Sequence, residues 1–155
     1  MQSHTPRGYI CPICLGVAGI ESEDTLLKKP DLVFKDDLVS VFINSFWLKT
    51  VEGHVIIVPN DHYENLYEIP NKVGNRIFEV SKKMAIAMKK AYRCDGTTIR
   101  QNNEPAGDQH AFHYHMHIFP RYEADKFNIG MTKKSILSDP KKRLDKVKKL
   151  KEALS

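Results

Sequence analysis

No apolar run in this 155-residue chain approaches the roughly 20 residues that a membrane-crossing helix needs. Its opening stretch, MQSHTPRGYICPIC, lacks the apolar core of a secretory leader, so the expectation is a cytoplasmic protein. Cysteine is scarce, with three in all. Two of them form Cys11-x-x-Cys14, which fits a metal site in a reducing compartment better than a disulfide framework. Internal repeats and low-complexity linkers are also missing, and the length suits one domain with one core. At 41% hydrophobic and 28% charged, the composition is that of an ordinary soluble domain. The net charge of +5 suits polyanionic partners. Much of that excess, however, lies in the terminal DPKKRLDKVKKLKEALS, away from the candidate site residues.

Patterning predicts a small α+β domain. Two short β-like runs lie in DLVFKDDLVSVFINS, where Val39, Val41 and Ile43 alternate. HVIIVP is a dense apolar strand stopped by Pro59, expected to be buried on both faces. From Asn71 to Arg93, the residues Ile77, Val80, Met84, Met88 and Ala91 recur at helical spacing and predict the longest helix. TTIRQ reads as a strand, NNEPAGDQ as a loop and AFHYHMHIF as a further strand. Asp139 can cap a last helix with Pro140 at its first position and an apolar stripe of Leu144, Val147, Leu150 and Leu154. Cys94, alone at the end of the long helix, is expected to be a small core residue.

The informative stretch is HYHMHIFPR, His113 to Arg121. In a strand, side chains two apart share a face, so His113, His115 and His117 would form a row opposite Tyr114, Met116 and Ile118. Three imidazoles in strict alternation make a poor core. They could hold a catalytic metal. Alternatively, one could be a nucleophile whose neighbours set its tautomer. Spacing alone leaves both open.

HYHMHIF resembles the His-x-His-x-His pattern of the histidine triad (HIT) family of nucleotide hydrolases and transferases. GHVIIVP, Gly53 to Pro59, and the loop QNNEPAGDQHAFH resemble two further elements of that family, and the likeness runs from about Asp31 to Arg121. It implies an antiparallel sheet with one long helix and a C-terminal helix. The division would be an N-terminal segment (1–30), a catalytic core (31–121) and a C-terminal extension with the basic helix (122–155), all within one domain. By the same resemblance His115 is the nucleophile that attacks an α-phosphate. His117 orients the phosphate, and His54 belongs to the imidazole cluster behind the site. Gln109 contacts phosphate oxygens, Gln101 lines the pocket and Asn44 holds the ribose hydroxyls. Asp108 is an extra residue between Gly107 and Gln109, and the segment between Asn44 and His54 is longer than in many relatives. Both departures bear on Asn44 and Gln101 more than on His115.

Some bacterial relatives bind structural zinc through two N-terminal cysteines, a Pro-x-x-His histidine and the first triad histidine. Cys11, Cys14, His62 and His113 match those positions, so the resemblance implies one structural zinc and no catalytic metal. It also implies a homodimer and a purine nucleotide substrate, adenine favoured, such as a nucleoside phosphoramidate or dinucleoside polyphosphate. No membrane partner is expected. Nucleic acid would suit the basic helix, although an amphipathic helix with its lysines in solvent accounts for the same pattern. The competing classes are a metal-dependent hydrolase using the triad as ligands and a non-catalytic nucleotide-binding protein. His110, close to the triad, has no place in the motif. Phe46 and Trp47 could line a base pocket, meet a partner subunit or simply pack.

Overall fold

The alternating apolar residues of VSVFI and the continuous run VIIVP form two of the three inner strands of a five-stranded antiparallel sheet in the computed structural model, which describes residues 3–127 and 135–155. The strands are β1 (Leu32–Lys35), β2 (Val39–Ile43), β4 (Val55–Pro59), β5 (Gly96–Gln101) and β6 (Met116–Arg121), in the order β1-β2-β4-β6-β5. A small second sheet pairs β3 (Phe46–Leu48) with β7 (Ser135–Leu137). Among the described residues, the sheets are joined by the helices α1 (Pro12–Ala18), α2 (Asn71–Tyr92) and α3 (Pro140–Leu154). No helix among the described residues is long and apolar enough to cross a membrane.

Strand alternation divides the main sheet into two faces. Val39, Val41, Ile43, Val55, Ile57 and Ile118 turn to one side. There they pack with Val73, Ile77, Val80, Met84 and Met88 of α2 and with Val147 and Leu150 of α3. Phe42, Ile56 and Val58 turn to the other side, against Ile13 of α1 and Leu27. β2 and β4 are therefore buried on both faces, as the apolar density of VIIVP implies. The second face, only partly covered by the N-terminal segment, is where the site forms.

The long helix begins and ends close to the predicted bounds, and Cys94 is buried beyond it. The last helix has Asp139 accepting from the Lys141 N–H and Pro140 in its first turn. Its stripe differs from the expected one: Val147 and Leu150 are buried, but Leu144 is 55% exposed. The interior position goes instead to Arg143, 6% exposed, whose Nε donates to Asp31 Oδ1 at 2.9 Å. A periodicity that counts only apolar residues misses such a position, because the guanidinium becomes compatible with burial through a distant carboxylate. Trp47 is core, at 2% exposure, while Phe46 is exposed beside it.

The triad strand is also shorter than AFHYHMHIF suggests. β6 starts at Met116, so His113 and His115 precede it and the three imidazoles do not form one row. The chain leaves the ladder where Tyr114 N–H donates to Tyr63 O at 2.6 Å, and this contact turns His113 away from the sheet.

Candidate active site and metal centre

Antiparallel register assembles the imidazoles. His117 of β6 lies opposite Ile56 of β4 on one side and Arg100 of β5 on the other, so these three side chains share a face. His54, just before β4, stacks on Phe119 with ring centroids 4.4 Å apart and lies 5.5 Å from His117. Gly53, at φ +88°, makes the turn into this strand where a side chain would press on Tyr92 and Lys146. Asn44 Nδ2 lies 2.6 Å from His54 Nε2, so the amide donating here leaves the ring proton on Nδ1. His115 meets His117 edge-on at 5.0 Å. Its Nδ1–H donates to the His113 carbonyl at 2.8 Å. This hydrogen bond fixes the tautomer and leaves the lone pair on Nε2.

The rings line a cavity of about 610 Å³. Ile13, Leu26, Leu27, Ile56 and Phe46 make its apolar part. His54, His115, His117, Asn44, Arg100 and Asn102 make a polar wall, with Asp108 and His110 also lining it. A volume and lining of this kind suit a ligand with a planar apolar body and a charged group.

Burial governs the protonation of the cluster. It lowers the pKa of His54 to about 3, places His117 well below the ordinary imidazole range and lowers His115. The neighbouring imidazoles and Arg100 push His117 further down, and His110 does the same to His115. The cluster is thus neutral near pH 7, the state in which an imidazole nitrogen can attack. His54 Nδ1 and His117 Nδ1 are buried without a hydrogen-bond partner among the described residues. A second proton on either ring would add a buried charge.

A stability prediction follows from His54. The unfolded chain takes up a proton near pH 6.5, whereas the folded ring resists until about pH 3. The folded state is therefore favoured above pH 6.5 and loses that advantage progressively as pH falls towards 3. Between pH 7 and pH 5 the expected loss is about 2 kcal/mol. Urea unfolding of wild type and His54→Phe at both pH values should show a loss smaller by that amount in the variant. Equal losses in the two proteins would refute the assignment.

The residues matched by motif divide in the structure. His54, His115, His117 and Asn44 line one cavity. Gln101 does not. It lies opposite Met116 in the ladder, on the face away from His117, and forms a reciprocal amide pair with Asn103. Gln109 is 3% exposed and spends its amide on the chain: Nε2 donates to Glu64 O and Ala111 O, and Oε1 accepts from Glu104 N–H. It clamps the loop ahead of the triad. Arg100 and Asn102 line the cavity and were missed by sequence reasoning. Their parity along the strand is the signal, and it becomes readable only once the β5–β6 register is known.

His113 serves a second cluster. Cys11, Cys14, His62 and His113 each present one ligand atom, and all four atoms lie within 4.8 Å of one another. The Nδ1 of His113 lies 3.5 Å from Cys11 Sγ and 3.4 Å from Cys14 Sγ, and His62 Nδ1 is 3.3 Å from Cys14 Sγ. Tetrahedral zinc with ordinary Zn–S and Zn–N bonds would put sulfur and nitrogen about 3.6 Å apart. His113 Nε2–H donates to Pro59 O at 3.1 Å, which leaves Nδ1 as the lone pair facing the sulfurs. Helix α1 supplies the spacing: Cys11 is its N-cap and accepts from Cys14 N–H, which brings both thiols to one end. Burial and Cys11 push the Cys14 thiol up to about 12, so a bound cation would be needed to hold it as thiolate near neutral pH. The donor set fits one closed zinc site, and His113 links it to the active site through the carbonyl that holds His115.

The antiparallel sheet, the long helix across one face and the imidazole cluster on the other define a histidine-triad domain. A family model described as HIT domain matches residues 27–124, and the chain belongs to that family. It is 36% identical over 91 residues to the protein named Protein hit of Bacillus subtilis, a match that covers 58% of this chain and 61% of that protein. It is 31% identical over 112 residues to Adenylylsulfatase HINT3 of Arabidopsis thaliana, covering 72% of this chain and 54% of the relative. The match thus spans less than two thirds of either relative. The fold is shared with a zinc-bound histidine triad family protein from Mycobacterium smegmatis, with a TM-score of 0.73, 23% identity and coverage of 93% of this chain and 92% of that one.

Proposed function

We propose that the protein hydrolyses a nucleotide conjugate at its α-phosphate through a nucleotidyl intermediate on His115. The observation that carries this reading is the hydrogen bond from His115 Nδ1–H to the His113 carbonyl, in a ring that lines the cavity. A fixed, neutral imidazole with its lone pair on Nε2 needs no separate base to attack phosphorus. In the first step the Nε2–P bond forms and the bond from phosphorus to the leaving group breaks; the leaving group keeps the electron pair, a phosphate departing as an anion and an amine taking a proton from solvent. In the second, water adds to phosphorus, the P–N bond breaks, one proton passes to solvent and nucleoside monophosphate departs. His117, which lines the cavity beside His115, would meet the non-bridging oxygens, and preorganised donors are what such a transfer chiefly requires. Asn44, which also lines the cavity, would meet the ribose hydroxyls. The apolar part would take the base, adenine favoured.

His113 faces the cysteines and His115 has committed Nδ1 to a carbonyl, which disfavours convergence of all three triad histidines on a catalytic metal. Zinc at Cys11, Cys14, His62 and His113 would be structural. A two-fold homodimer and a cytoplasmic location belong to the same reading. Wild type should release AMP from adenosine 5′-phosphoramidate and diadenosine triphosphate with chelator present and folding monitored by circular dichroism. Acid quenching should trap an adduct on the peptide carrying His115. Nucleotide binding without turnover would replace this reading with a binding module. Turnover that a still-folded protein shows only with added metal would replace it with a metal-dependent hydrolase.

A further inference from the structure

Beside His115, the cavity wall carries a closed polar ring that the reaction above does not use. Arg100 Nε donates to Asn102 Oδ1 at 2.9 Å and its Nη2 donates to Asp108 Oδ2 at 2.5 Å. Asp108 Oδ1 lies 3.1 Å from His110 Nε2, and Asn102 Nδ2 donates to the Asp108 carbonyl at 2.9 Å. Asp108 takes a left-handed backbone conformation at φ +69°. That turn carries its carboxylate between the other two side chains.

All four residues line the cavity together with His115 and His117. Arg100 lies opposite His117 in the β5–β6 ladder, next to the expected phosphate position. His110 is 87% exposed at the mouth and Asp108 is 60% exposed. Exposed ion pairs are weak, so an arriving anion can compete with Asp108 for both partners. Guanidinium and imidazole donors are well suited to phosphate oxygens, the first in a bidentate fork.

We infer that Arg100 and His110, held ready by Asp108, receive an anionic phosphate leaving group, so that the preferred substrates are conjugates whose nucleotide is joined to another phosphate rather than to a neutral amine. This inference rests on His115 being the nucleophile. When the α-phosphate transfers to Nε2, the bond to the bridging oxygen breaks. The departing phosphate keeps the electron pair and stays anionic beside Arg100 and His110. No proton donor is required. An amine leaves only with a proton taken from solvent, and as a neutral product it offers these donors no charge to stabilise.

The test compares kcat/KM for diadenosine triphosphate and adenosine 5′-phosphoramidate in wild type, His110→Ala and Asp108→Asn. Loss of one charge-assisted hydrogen bond should lower the triphosphate-to-phosphoramidate ratio about tenfold in His110→Ala. Asp108→Asn keeps both donors but loses the carboxylate that holds them in place, so its ratio should fall too, by a smaller factor. If the ring only shapes the loop, both variants will slow both substrates by similar factors, and the inference is overturned. An unchanged ratio in His110→Ala overturns it as well. Hydrolysis of both substrates by wild type with no change in ratio would leave the nucleophile reading standing. Hydrolysis of neither would remove both readings.

Discussion

His115→Ala is expected to lose at least about a thousandfold in kcat/KM on any substrate the wild type hydrolyses. A nucleophile's removal deletes the covalent route, and what survives is the contribution of binding and oriented donors to direct attack by water. The loss should fall on kcat, because the apolar pocket of Ile13, Leu26, Leu27 and Ile56 is untouched. Nucleotide affinity should change by only a few-fold. One complication is the His113 carbonyl, which loses the donor it receives from His115 Nδ1. His115→Asn answers this, since an amide can reach the same carbonyl without offering a competent nucleophile. Both variants should be inactive and should melt close to wild type. An active His115→Asn would move the chemistry elsewhere, and His117, in edge contact with it, is then the imidazole to test.

Much of this arrangement was legible in the chain because it follows from period and composition. The strands at Val39–Ile43 and Val55–Pro59, the long helix from Asn71 and the Asp139–Pro140 start of the last helix are each marked by local pattern. What failed was whatever depends on a partner distant in sequence. Gln101 and Arg100 are adjacent, and which of them faces the cavity is settled by pairing with Met116 and His117. A one-residue shift in register would exchange them. Gln109 carries the right chemistry for a phosphate contact, yet the backbone groups of Glu104, Ala111 and Glu64 claim its amide. Arg143 was invisible as an interior residue because its partner Asp31 is far away along the chain. His113 is a mixed case. Its spacing from His115 suggested a shared strand face, whereas the four-residue cluster draws it to the cysteines.

Under the proposed function, the double position of His113 would make the candidate metal site a determinant of both stability and rate. Cys14→Ser should reduce bound zinc from about one per chain to near zero, because a serine hydroxyl does not replace a thiolate in a soft-ligand site. A ligand held only by the folded state contributes about 4 kcal/mol at a thousandfold excess over its Kd. For a chain of this size that corresponds to a fall in Tm of roughly 10–15 °C. Chelator added to wild type should reproduce the shift and leave Cys14→Ser unmoved. The rate should fall as well, by about 10- to 100-fold in kcat, since the carbonyl aiming His115 belongs to a ligand residue. A purely structural metal far from the site would lower Tm and spare kcat in the fraction still folded. Loss of rate measured well below the variant's Tm would therefore show that the zinc cluster helps to aim the His115 ring. A variant that keeps its zinc and melts with wild type would remove Cys14 from the ligand set.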